Sequence, residues 1–263
     1  MIDQVCHITQ VTELASGIWQ LTFTGEKIVS FYKGAGQFIE ILGSNSWATP
    51  LRRPMSIAGV NGDKISIIFK VMGKMTSQLI QLKPEDEIQV LGPLGNTFSY
   101  SDKSKTPLLV GGGVGLAPVL NFYSTLRNKN DSIGLILGAR TESEHFLPHS
   151  PEKGIYLTTD DGSVGIPGTV IPTLIKRSHD VMNPIIYACG PEPMLKAIQQ
   201  FCLEEGIPAQ LSVESYMGCG VGLCQGCVIR KTEIDVKEHS YQRKYSLVCK
   251  HGPVYHAKEI VFD

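Results

Sequence analysis

The 263-residue chain carries 24 lysines and arginines against 25 aspartates and glutamates, a formal net charge of −1. The basic footprint of a nucleic-acid binder is missing, and no apolar run reaches the roughly 18 residues that a membrane span needs. The start, MIDQVCHITQVTELASG, has acids and polar residues where a secretory leader is basic and then apolar. A soluble cytoplasmic chain is expected, without nucleic-acid or membrane partners.

Over residues 1–102, short alternating or apolar runs (GIWQLTFTG, QFIEILG, MSIAGVNGDKISIIFKVMG, DEIQVLGPLG) are broken by turn residues, which predicts an antiparallel β-barrel. Asn61-Gly62-Asp63 lies between two of these runs as a hairpin turn, because Asn and Gly tolerate the positive φ of tight turns. The grammar changes over residues 103–210. PLLVGGG reads as a buried strand, GLAPVLNFYSTLRNK as a helix and SIGLILGAR as a second strand, and the alternation continues through GIYLTTDDG, GTVIPTLIKR, NPIIYACGP and EPMLKAIQQFCLEEG. This predicts a parallel α/β domain. Residues 211–263 are rich in glycine and cysteine and then in charge. They are too poor in apolar residues for a core of their own, so a metal centre is expected to hold them in shape.

Seven cysteines in a chain read as cytosolic point to metal or redox chemistry rather than disulfides. Cys6, Cys189 and Cys202 are scattered, whereas Cys219, Cys224 and Cys227 follow a C-x4-C-x2-C spacing with Cys249 after 21 further residues. That is the plant-type [2Fe–2S] pattern, and Gly218, Gly220, Gly222 and Gly226 let the loop curl and point N–H groups at sulfur. Structural zinc, the alternative, favours two close C-x2-C pairs, and one is present. In VGGGVGLAP, Gly112, Gly113 and Gly115 join a strand to a helix, where backbone can approach a dinucleotide pyrophosphate. Asp160 and Asp161, if they face the adenosine ribose, repel a 2′-phosphate and select NAD, while Arg140 pulls toward NADP.

Arg52-Arg53-Pro54-Met55-Ser56 resembles the R-x-Y-S flavin motif of the ferredoxin reductase superfamily, with Met55 where a tyrosine often stands. The resemblance covers residues 1 to about 210. It implies a six-stranded antiparallel Greek-key barrel that binds FAD, with Arg53 on the flavin pyrophosphate, Ser56 near ring N5, and Pro54 and Met55 beside it. Lys70, Gly73, Lys74, Met75 and Thr76 match the second FAD segment, a strand end and helix start whose N–H groups favour an anion. Cys189-Gly190-Pro191-Glu192-Pro193-Met194 matches the segment whose cysteine lies beside the nicotinamide. Ser56 and Cys189 are therefore the expected catalytic residues, with Cys189 and Gly190 also at the cofactor site; a buried structural thiol is the alternative for Cys189.

Over nearly its full length the sequence looks like the electron-transfer subunits of class 1B dihydroorotate dehydrogenases. The match rests on RRPMSIAG, VGGGVGLAP, TTDDGSVG, YACGPEPM, ESYMGCGVGLCQGC and YSLVCKHGPVY. The resemblance implies a heterotetramer, two of each chain, with an FMN-containing catalytic subunit that oxidises dihydroorotate in pyrimidine biosynthesis. Electrons would run from FMN through the [2Fe–2S] cluster and FAD to NAD. The charged insert KTEIDVKEHSYQRK between Cys227 and Cys249 exceeds what a simple hairpin needs and is expected to alter the partner surface. The same domain order fits a flavin and iron–sulfur subunit of a hydrogenase, a sulfide-forming reductase or a ferredoxin:NADP oxidoreductase complex. A sensor that uses the fold without catalysis is the remaining alternative.

Overall fold

The structure, a computed structural model, describes residues 1–43, 51–127, 133–233 and 243–262. The middle of the charged insert, 234–242, lies outside them. Among the described residues, the first part of the chain closes six antiparallel strands into a Greek-key barrel in the order β1-β2-β5-β4-β3-β6. These are β1 (Ile2–Ala15), β2 (Ile18–Thr24), β3 (Phe38–Leu42), β4 (Arg53–Asn61), β5 (Lys64–Lys70) and β6 (Glu87–Leu94). Two short helices, α1 (Glu26–Val29) and α2 (Lys74–Leu79), interrupt them. Period-two patterning explains the closure: in β5 Ile65, Ile67 and Phe69 point inward and pack with Ile8, Leu21, Ile39 and Ile57. Each such side chain contributes about 1.5–3 kcal/mol by leaving water. Asn61 pairs with Lys64 across the tight turn, and Gly62 takes the positive φ expected there.

The α/β part contains β7 (Thr106–Gly112), α3 (Leu116–Arg127), β8 (Gly134–Ala139), β9 (Ile155–Thr159), β10 (Ile166–Pro167), α4 (Val170–Asp180), β11 (Pro184–Cys189), α5 (Glu192–Glu204) and β12 (Ala209–Ser212). Neighbours in the order β10-β9-β8-β7-β11-β12 are parallel. Helices cover both faces, so β7 is a nearly continuous apolar run: Leu109 packs with α3, and Leu108 and Val110 pack with α4 and α5.

The last segment holds β13 (Val228–Lys231), β14 (Tyr245–Leu247), α6 (Val248–His251), β15 (Val254–His256) and β16 (Ile260–Val261). Strands β14, β13 and β16 form a small sheet, while β15 adds antiparallel to β12 and makes the large sheet mixed. The sequence predicted a tail in need of a metal to hold it. Instead Leu247, Val248, Tyr255, Ile260 and Phe262 join the core beneath α5 and β12. From α5, Gln199 Nε2 donates to the carbonyls of Ala257 (2.6 Å) and Ile260 (2.7 Å).

Two asparagines tie these parts together. On α3, the buried Asn121 donates to Tyr32 Oη (2.7 Å) and to the Ile57 carbonyl of β4 (2.8 Å). After β6, Asn96 Nδ2 donates to the carbonyls of His251 (3.0 Å) and Val254 (2.8 Å), and its Oδ1 accepts from Val254 N (2.9 Å).

Candidate functional site

Two clefts and one loop gather the residues singled out in the sequence. The first cleft, about 250 Å³, is walled by Phe38 of β3, Pro54, Met55 and Ser56 of β4, Phe69 and Lys70 of β5, and Thr76 of α2. Ser212, Val213, Glu214, Met217 and Pro253 close it from the other side. Ser56 stands opposite Phe38 in the strand pairing, so its hydroxyl is a polar group on a mostly apolar wall. Such a lining suits a flat heteroaromatic ring.

Arg52 and Arg53 differ. Arg52 is spent within the barrel, paired with Asp3 at 2.8 Å. Arg53 is exposed at the start of β4 and, among the described residues, donates locally to the carbonyls of Leu51 (3.0 Å) and Arg52 (3.2 Å), so its guanidinium is available to turn outward. In the second segment Thr76 Oγ1 accepts from Met72 N (3.0 Å) and Gly73 N (3.1 Å) and caps α2. Met75 is buried in the barrel core, so only its backbone can face a ligand. Lys74 begins the helix beside it. A side chain at Gly73 would meet nothing within 4 Å, which leaves the backbone open to a large group.

The second cleft, about 650 Å³, is lined by Gly112, Gly113, Ala139, Arg140, Glu144, Asp160 and Met194, and by Lys70, which it shares with the first. Gly113 has φ +57°, and a Cβ there would make only ordinary contact with Pro191 at 3.8 Å, so a ligand can approach this backbone closely. Gly115 has another role. A Cβ there would fall 2.3 Å from the Cys189 carbonyl oxygen, so this glycine lets α3 pack on the end of β11. Gly190 is likewise crowded, by Met194. The two aspartates also separate: Asp160 faces the cleft, while Asp161 Oδ1 accepts from Ser163 N (3.0 Å) and Ser163 Oγ (2.6 Å). Those bonds hold the Asp161 carboxyl below its usual range.

Glu144 was not singled out by sequence. Its Oε1 accepts from Lys70 Nζ (2.7 Å), Arg140 Nε (3.0 Å) and Arg140 Nη2 (2.5 Å). The Arg140 hydrogen bond, aided by Lys70, outweighs burial and holds this carboxyl down at about 2. Cys189 is 1% exposed at the end of β11, paired in the sheet with Ser212. Burial, reinforced by Glu214, pushes its thiol far up, so it stays protonated beneath the wall that Ser212 and Glu214 present to the first cleft.

The four clustered cysteines lie close together in two pairs, Cys219 with Cys224 and Cys227 with Cys249. Cys219 Sγ accepts N–H bonds from Val221 (3.5 Å), Leu223 (3.3 Å) and Cys224 (3.4 Å). Burial opposes them, yet these donors bring the thiol down to about 7. Cys249 N donates to Cys227 Sγ at 3.4 Å. Among the described residues no three His, Cys, Asp or Glu side chains converge as on a single ion. Two pairs of thiols match two metal atoms instead. Beneath the loop lies Glu40 of β3, fully buried, with neither carboxylate oxygen hydrogen-bonded. A Cβ on Gly220 would fall 2.7 Å from Glu40 Oε1, so the loop rests directly on this side chain. Burial raises the Glu40 carboxyl to about 7.

Comparison with known proteins fits this architecture. Residues 109–200 match the oxidoreductase NAD-binding domain, and residues 214–261 match the iron–sulfur cluster binding domain of dihydroorotate dehydrogenase B. A chain of the NADH-dependent reduced ferredoxin-NADP oxidoreductase, studied for flavin-based electron bifurcation, superposes with a TM-score of 0.82 at 25% identity. The superposition covers 99% of this chain and 91% of that one. The ferredoxin-NADP+ reductase of Plasmodium falciparum shares the fold over 78% of this chain and 93% of its own, at 16% identity and TM-score 0.62. The fold and sites thus define an NAD-binding oxidoreductase with an iron–sulfur domain.

Similarity in sequence narrows the class. The dihydroorotate dehydrogenase B (NAD(+)) electron transfer subunit of Bacillus pumilus is 34% identical over 95% of both chains, and that of Bacillus velezensis 36% identical over 95% of both. The chain belongs to the family of electron transfer subunits of NAD-dependent dihydroorotate dehydrogenase B.

Proposed function

We propose that this chain carries electrons between NAD and an FMN-containing catalytic subunit that oxidises dihydroorotate, using bound FAD and one [2Fe–2S] cluster, in cytoplasmic pyrimidine synthesis. The observation that carries the reading is the sharing of walls. Lys70 lines both clefts, and Pro253, four residues after Cys249, lines the first. Nucleotide, flavin and cluster sites are therefore contiguous. The division into a flavin barrel (1–102), a nucleotide domain (103–210) and a cluster domain (211–263) follows this reading, with β15 of the last completing the sheet of the second. Among the described residues no helix is long and apolar enough to cross a membrane.

Each residue then has a task. Arg53, Lys74 and the backbone at Gly73, Met75 and Thr76 hold the FAD pyrophosphate, and Pro54, Met55 and Phe38 exclude water from the flavin ring. With FAD bound, the Ser56 hydroxyl would be placed to hydrogen-bond near a nitrogen of its ring. Gly112 and Gly113 admit the dinucleotide pyrophosphate, and Asp160 faces the adenosine ribose. Cys189, buried behind Ser212 and Glu214, and Gly190 would back the nicotinamide site from beneath, while Gly115 keeps them close to α3. Cys219, Cys224, Cys227 and Cys249 ligate the cluster. When bound, FAD supplies exchange between a hydride and single electrons, and the cluster carries those electrons singly. The partner assembly is a heterotetramer of two electron-transfer and two catalytic chains.

Purification with the catalytic subunit tests the reading. We expect two irons and two labile sulfides per FAD, reduction of the flavin by NADH, and NAD reduction driven by dihydroorotate only when both chains are present. One zinc without labile sulfide, or no flavin reduction by NADH, would refute it.

A further inference from the structure

Among the described residues, the nucleotide cleft contains one cation suited to a 2′-phosphate, Arg140, and this cation is already held. Its side chain is largely exposed, yet Nε and Nη2, the edge that would grip two phosphate oxygens, both converge on Glu144 Oε1. Glu144 itself is only 13% exposed and is locked from the other side by Lys70 at the end of β5. Nor is the loop free to swing away, since the Ser143 carbonyl accepts from Ser16 N of the barrel (2.8 Å) and Glu142 N donates to Ser163 Oγ (2.7 Å). Two cations, Lys70 and Arg140, thus meet two anions, Glu144 and Asp160, around one cleft. Their charges sum to zero.

We infer that Glu144 is a specificity-determining residue, one that occupies Arg140 and so denies the cleft its 2′-phosphate site. The inference rests on the reading of this cleft as the NAD site, and it assigns the discrimination to two carboxylates with different tasks. Asp160 faces the nucleotide and repels a 2′-phosphate. Glu144 never touches the nucleotide; it neutralises and turns aside the guanidinium that would otherwise compensate for Asp160. A 2′-phosphate brings a charge of about −1.5 to −2 into a cleft with no net positive charge to receive it. Removing the Glu144 charge leaves the cleft with one uncompensated positive charge and frees the fork of Arg140.

The test compares Glu144→Gln with the wild type in the FAD-loaded, cluster-loaded protein, by rates of flavin reduction with NADH and NADPH and by inhibition with 2′-phospho-AMP. We expect the NADPH-to-NADH ratio of kcat/KM to rise about tenfold, equivalent to about 1.4 kcal/mol, with 2′-phospho-AMP inhibiting more strongly by a similar factor. Adding Arg140→Ala to Glu144→Gln should return both to the wild-type level. If Glu144→Gln loses FAD, Glu144→Asp is measured instead: its shorter side chain withdraws the carboxylate from Arg140, and a smaller gain in the same direction is expected. An unchanged ratio in a flavin-loaded variant, or a gain that survives loss of Arg140, overturns the inference and leaves the NAD reading standing. A wild-type protein that NADH does not reduce overturns both.

Discussion

Cys219 and Cys224 stand on a stretch of turns and bends without regular structure, the first half-buried and the second exposed, whereas Cys227 and Cys249 are 1% and 3% exposed. The buried pair flanks β13 and β14, and Val248 N donates to the Cys227 carbonyl at 2.7 Å. Apolar side chains around it merge into the core under α5 and β12. One pair of thiols is thus placed by apolar packing. The other is placed by backbone N–H groups that point at sulfur and by the contact of Gly220 with Glu40. The contrast teaches that half of a metal site can be preorganised by an ordinary hydrophobic core while the other half is left to the metal itself.

The sharpest way to break this contrast is to remove one ligand from each pair. Cys249→Ser replaces a buried thiolate by a harder, less readily deprotonated ligand in a site that cannot relax. We expect transfer to the catalytic subunit to fall about tenfold or more, with NADH-to-dye activity largely kept, because most of the walls of the two clefts belong to the barrel and the α/β sheet. Cys224→Ser, exposed to water, should cost less cluster and less rate. Equal losses would erase the distinction between the pairs.

Truncating the packing comes next. Leu247→Ala should destabilise the chain by about 2–5 kcal/mol in urea unfolding, in the apo form as well as the loaded one. If only the loaded protein is affected, the arm is held by metal rather than by its core. A smaller effect, about 1–3 kcal/mol, is expected for Gln199→Leu, which leaves the Ala257 and Ile260 carbonyls without their donor. Amide exchange over residues 257–261 would localise that loss.

The smallest effect carries the contrast to the seam between barrel and nucleotide domain, where an ion pair adds to the apolar packing of Phe38 and Leu94 and to the Asn121 hydrogen bonds. The Glu144 carboxyl lies at about 2 in the folded chain against an ordinary 4.5, so its contribution is present above pH 4.5 and is lost as pH falls toward 2. With Arg140 well exposed, screening reduces this to about 1 kcal/mol. Acid titration of Glu144→Gln should be flatter by that amount between pH 4.5 and 2. A full-sized slope in the variant would mean that other carboxylates carry the seam.

Much of this was legible beforehand. The alternation in KISIIFK predicts β5, and the spacing of Cys219, Cys224, Cys227 and Cys249 needs no partner to be recognised. What escaped depends on distance along the chain. Nothing local in FIEIL marks Glu40 as a buried charge, and the loop that rests on it comes some 180 residues later. Lys70 and Glu144 are 74 residues apart, and Asn96 and Val254 are 158 apart. Leu247, Tyr255 and Ile260 follow no helical or strand period, so the tail looked coreless while its partners lay on α5 and β12. Gly115 and Asp161 sat correctly inside recognisable motifs, yet one serves packing and the other its own turn.

The Asn96 bridge has a consequence for how the site fills. Its side chain fixes the turn that runs from Cys249 to Pro253, one end beside the thiols and the other on the wall of the first cleft. Ordering a stretch of backbone costs about 1–2 kcal/mol per residue, and here one stretch serves two sites. Asn96 and the core around Val248 and Tyr255 meet that cost during folding, so each group would bind to a turn already in place. The turn is therefore one part shared by two sites: a change at Asn96 would disturb the thiol loop and the wall of the first cleft together.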